Sequence, residues 1–99
     1  MFRRKRFRYG ARPKDSNVRP LTTESWEQAV GALREVMSRE YAKACGDPFE
    51  QAPIEHATRR EIAFDKWVPV MEALVNTKPN TEFHDASTEL EFYITEEKQ

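Results

Sequence analysis

No run of apolar residues in this chain approaches the length of a bilayer crossing, so a membrane-spanning segment is not expected. The basic N-terminus leads into no apolar stretch, which argues against a secretory signal, with a mitochondrial presequence as the weaker alternative. Cysteine is nearly absent: Cys45 alone forms no intramolecular disulfide, and a cytoplasmic, reducing environment is the simple reading. Catalytic signatures are missing as well. There is no HExxH, no zinc spacing of Cys and His, no P-loop and no GxGxxG. The two histidines, His56 and His84, each sit beside an acidic residue, as chance places them in a chain with seventeen acids. Cys45 falls at the end of an expected helix, where a thiolate is not favoured. These absences predict no metal, no cofactor and a non-catalytic protein.

What is present is a division of charge. Residues 1–19 hold eight basic residues against Asp15 alone, giving +7, whereas the other eighty hold eight basic and sixteen acidic, giving −8. The formal net charge of −1 hides the split. Composition is polar, 33% charged and 38% hydrophobic, yet 11% aromatic with two tryptophans, which argues for a real core.

Pro13 and Pro20 bracket a polar linker, so residues 1–20 read as a mobile basic arm and linker, and 21–99 as the folded domain. A first helix is expected over 22–45, capped by Thr22 with Leu21 and Trp26 as a staple. Its apolar positions run from Trp26 through Ala29, Val30, Leu33, Val36, Met37 and Tyr41 to Ala44, and Gly46 with Pro48 ends it. The second helix starts at the Thr58–Glu61 capping box or one turn earlier, with Pro53 able to serve as a first helical residue. Pro69 lies inside its pattern and predicts a kink or break near Lys66–Val68, and Asn76 with Pro79 marks its end. In the tail, Leu90, Phe92 and Ile94 alternate with Glu89, Glu91, Tyr93 and Thr95 as a half-buried strand. The fold class expected is mainly α within α+β: an antiparallel helical pair, the second helix kinked, with a short C-terminal strand.

Three roles compete for the arm. Arg3, Arg4, Lys5, Arg6, Arg8, Arg12 and Lys14 suit phosphates or an acidic groove, with Phe7 or Tyr9 stacking on bases. The arm could instead pair with the tail strand, setting Arg6 and Arg8 against Glu89 and Glu91 and Phe7 beside Phe92. A solvated tail is the third. The apolar stripes exceed what one helix pair buries, which predicts a partner or a homodimer. Trp26, Val36, Tyr41, Phe49, Phe64 and Trp67 are the candidate protein interface, with Tyr93 in the surplus patch. Pro69 is also a candidate cis/trans isomerisation site.

In size, charge division and absent chemistry the chain resembles small phage-encoded proteins that bind host DNA machinery, such as those that modify the RecBCD helicase–nuclease. That resemblance implies a large nuclease complex as partner and an effect on recombination. The function expected is docking on a DNA- or RNA-processing complex and modulating it. The alternative is sequence-independent nucleic-acid binding through the arm.

Overall fold

The computed structural model describes residues 5–98. The elements follow as β1 (Arg6–Pro13), β2 (Leu21–Thr23), α1 (Trp26–Cys45), α2 (Pro53–Val75), β3 (Phe83–Asp85) and β4 (Leu90–Glu97). The strands form one antiparallel sheet in the order β2-β1-β4-β3. The two long strands, one from each end of the chain, therefore lie side by side at its centre. The fold is mixed α+β, with a sheet larger than the single tail strand expected.

The mobile basic arm is corrected by this arrangement. Arg6–Pro13 pairs with all of β4, from Arg6 opposite Glu97 to Pro13 opposite Leu90, and its first half also pairs with β2. The reason lies in its alternation. Phe7 and Tyr9 are buried while Arg8 between them is exposed, which is strand period, and the acidic partner strand offsets the arginine charge. Pairing in cis is thus the observed state, in a different register: Arg12, not Arg6 or Arg8, stands opposite Glu91. Phe7 and Phe92 do share one core. Arg3 and Arg4 lie outside the described residues.

Helix α1 starts later than the Thr22 cap predicted, because Thr22 and Thr23 are used by β2. Ser25 is the N-cap, its hydroxyl accepting from the Gln28 amide at 3.2 Å. The Thr23 hydroxyl donates to Gln28 Oε1 and accepts from the Ser25 amide, tying the strand end to the helix start. Gly46, with φ of 77°, closes the helix in the left-handed region. Helix α2 begins at Pro53 as its first residue, and the Thr58 hydroxyl turns back to the Ile54 carbonyl instead of capping. It runs as one helix past Pro69 to Val75, so of the kink or break expected near Lys66–Val68 the break does not occur. Pro69 is exposed and its Val68–Pro69 bond is trans.

The core is a layer between sheet and helices. Phe7, Phe92 and Ile94 from the sheet meet Leu33 and Met37 of α1 and Val70 and Leu74 of α2, all at most 1% exposed. Burying each such side chain contributes about 1.5–3 kcal/mol. Trp67 packs edge-on against Phe92, centroids 6.0 Å apart at 88°. The Trp26 indole donates to the Thr81 carbonyl at 2.8 Å. Between Met37 and Ala63 no side chain is buried, and the molecule measures 61 × 27 × 20 Å. The turn end of the helical hairpin accordingly stands clear of the core.

Candidate docking surfaces

Two surfaces compete as the functional site, and the first is the basic row on β1. Alternation sends Arg6, Arg8 and Arg12 to the open face of the sheet, and every one meets a carboxylate of β4. Arg6 Nε lies 3.6 Å from Glu97, Arg8 Nη2 3.7 Å from the same residue, and Lys5 Nζ 3.9 Å from Glu96. Exposed pairs of this kind contribute at most about 1 kcal/mol each, but they lower the field a polyanion would meet. The proposed stacking residues are not available either: Phe7 is 1% exposed and Tyr9 7%. Lys14 is exposed beyond the end of β1.

The strongest of these pairs belongs to Arg12. Its Nε and Nη2 donate to Glu91 Oε1 at 3.1 and 2.8 Å, while its guanidinium lies 4.7 Å from the centroid of the Tyr93 ring. The hydrogen bond from Arg12 holds the Glu91 carboxyl below the usual carboxylate range, and Glu91 in turn raises Arg12. His84 Nε2 sits 3.7 Å from Glu91 Oε2 on the neighbouring strand. A second exposed bridge joins Lys66 of α2 to Glu89, lowering Glu89 in the same way. These groups form a structural network. No nucleophile stands beside a base in it, and no group of three or more His, Cys, Asp or Glu suited to a metal ion occurs among the described residues.

The second surface is apolar and belongs to the helical hairpin. Phe64, Val68, Met71 and Val75 recur at i, i+4, i+7 and i+11, which sets them along one side of α2 beside the buried stripe of Ala63, Trp67, Val70 and Leu74. Phe64 is 54% and Val75 60% exposed, with Val68 and Met71 half-buried between them. Towards the hairpin end, Tyr41, Ala57, Arg60, Glu61 and Phe64 together line a 260 Å³ cleft. At the turn, Phe49 is 96% and Ile54 83% exposed. A separate 310 Å³ groove lies between α1 and the start of β2, where Val36 meets Tyr9, Val18 and Leu21.

The predicted interface residues therefore separate into two groups. Phe49 and Phe64 are exposed, and Val36 and Tyr41 are half-buried at the two grooves. Trp26 and Trp67 are corrected: both lie in the core, 7% and 3% exposed, because the sheet covers the stripe that a bare helix pair would leave open. Tyr93 is buried too, under Arg12 on the open face of the sheet. Ile54 and Val75 were not singled out as interface residues. The α2 periodicity was the signal for Val75, which reads as core when one stripe is assumed.

Among the described residues no helix is long and apolar enough to cross a membrane. Compared with protein families, with curated proteins and with solved structures, the chain matches none.

Proposed function

We propose that the chain is a non-catalytic binding protein that docks on a larger protein through the exposed apolar side of its helical hairpin. The observation that carries this reading is the row from Phe64 to Val75, more than half exposed at both ends on a helix whose other stripe is already buried. Contiguous apolar surface of this kind marks protein contact sites, and aromatic side chains such as Phe64 and Tyr41 are suited to anchor them. The partner class suggested by size and charge division is a nucleic-acid-processing complex in the cytoplasm, a host recombination nuclease of the RecBCD type being the specific case. Nucleic-acid binding through the basic segment is the alternative. It draws less support, since Lys5, Arg6, Arg8 and Arg12 each have a glutamate alongside.

Co-sedimentation of the purified protein with a purified RecBCD helicase–nuclease tests the specific case. Binding that survives moderate salt and is lost in a Phe49→Ser, Phe64→Asp double variant is the expected result. Binding only to added DNA, falling steeply with salt, would favour the alternative instead.

A further inference from the structure

We infer that the segment seated on the hairpin is an amphipathic helix flanked by basic residues. This inference rests on the docking reading above and names the partner's chemistry. Glu61, Asp65 and Glu72 run along the solvent edge of the apolar row, at i, i+4 and i+11, each a helical neighbour of a row residue. All three are exposed, and none takes part in an ion pair among the described residues. The contrast with the sheet is informative. There, every acid of β4 facing β1 is matched by the chain's own cations, whereas on α2 three carboxylates beside exposed apolar surface are left uncompensated.

The geometry of the row specifies a helix. From Ala57 in the cleft to Val75 at the far end of the row, this side of α2 extends about 27 Å at 1.5 Å per residue, the footprint of a helix lying in a groove with anchors one turn apart. Tyr41 and Phe64 form the cleft that takes its first large side chain, and Lys or Arg beside its apolar stripe would meet the acidic edge. A second copy of this chain is the poorer occupant. Antiparallel two-fold pairing of α2 with itself sets the acidic row alongside the same row of the copy, and like charges so placed oppose association.

Two synthetic helical peptides with one identical leucine stripe, flanked by Lys in one and by Glu in the other, provide the test. Each is titrated into the full-length protein by fluorescence anisotropy, with circular dichroism to verify the fold of every variant. The Lys-flanked peptide should bind about tenfold more tightly, the sum of three exposed charge pairs. A triple variant, Glu61→Lys with Asp65→Lys and Glu72→Lys, should reverse the preference, and Phe64→Asp should weaken both peptides. Equal binding of the two peptides, still abolished by Phe64→Asp, overturns the charge inference and leaves docking in place. Failure of both peptides to bind, or indifference to Phe64→Asp, overturns both readings. A dimer in sedimentation that Phe64→Asp dissolves assigns the surface to a second copy and also overturns the inference.

Discussion

The ring of Tyr93 lies across Gly10 of the neighbouring strand, so close that a Cβ at Gly10 would meet Tyr93 Oη at 2.7 Å. Glycine is needed here for space, because the tyrosine crosses the central strand pair to reach Arg12. Gly10→Ala should destabilise the protein by about 1–2 kcal/mol through overpacking, measured as a shift in the urea midpoint. In a Tyr93→Ala background the same change should cost nothing, since the obstacle is gone. Equal cost in both backgrounds would contradict the contact.

Deleting residues 1–14 distinguishes a strand from an arm. A mobile arm is removed without harm to the rest, whereas here the cut takes away β1, the strand between β2 and β4, together with Phe7 and Tyr9 of the core. The truncated chain should lose its cooperative thermal transition. The single change Phe7→Ala should already cost about 3–5 kcal/mol, a large share of the 5–15 kcal/mol typical of a whole domain. A truncated protein with native circular dichroism and an unchanged melting temperature would restore the arm.

How much of this was legible follows from which signals are local. The presence of two helices, the Gly46 stop and the alternation of Phe92 and Ile94 with Tyr93 are written within a few residues and read correctly. Phe7, Tyr9 and their arginines carry the same alternation, but a run of positive charge at a chain end reads equally well as a tail. Only the partner strand at the other end of the chain decides it, through Arg6 opposite Glu97. The tryptophans misled for a related reason: without the sheet, Trp26 and Trp67 look like surplus apolar surface. On α2 the pattern holds two adjacent stripes, and separating Val70 and Leu74 from Met71 and Val75 requires knowing what lies on each side.

The acid side of the stability profile should depend on Glu91. Its folded pKa lies below the ordinary carboxylate value of about 4.3, because Arg12 donates to the charged form. A carboxyl lowered on folding stabilises above its unfolded pKa, and that contribution is lost as pH falls through the folded value. The urea midpoint should therefore fall as pH drops below the ordinary carboxylate value, and Glu91→Gln should flatten part of the drop. The remainder belongs in part to Glu89, held low by Lys66. An unchanged slope in Glu91→Gln would show that the Arg12 contact does not persist in solution.

Stability and docking should separate cleanly on the hairpin, because its two stripes have different neighbours. Trp67 is 3% exposed against Phe92, and Trp67→Ala should cost about 3–5 kcal/mol and reduce every activity in proportion to the folded fraction. Phe49, 96% exposed at the turn, contacts little, so Phe49→Ser should leave the melting temperature within the scatter of surface changes, about 0.5 kcal/mol. Phe64→Ala falls between them, since Phe64 is 54% exposed and so loses only part of a buried side chain. Combined in one protein, Phe49→Ser and Phe64→Ala should leave a folded domain that no longer binds its partner. Retention of full affinity by that folded double variant would move the contact surface elsewhere, with the groove beside Val36 and Leu21 the next to test.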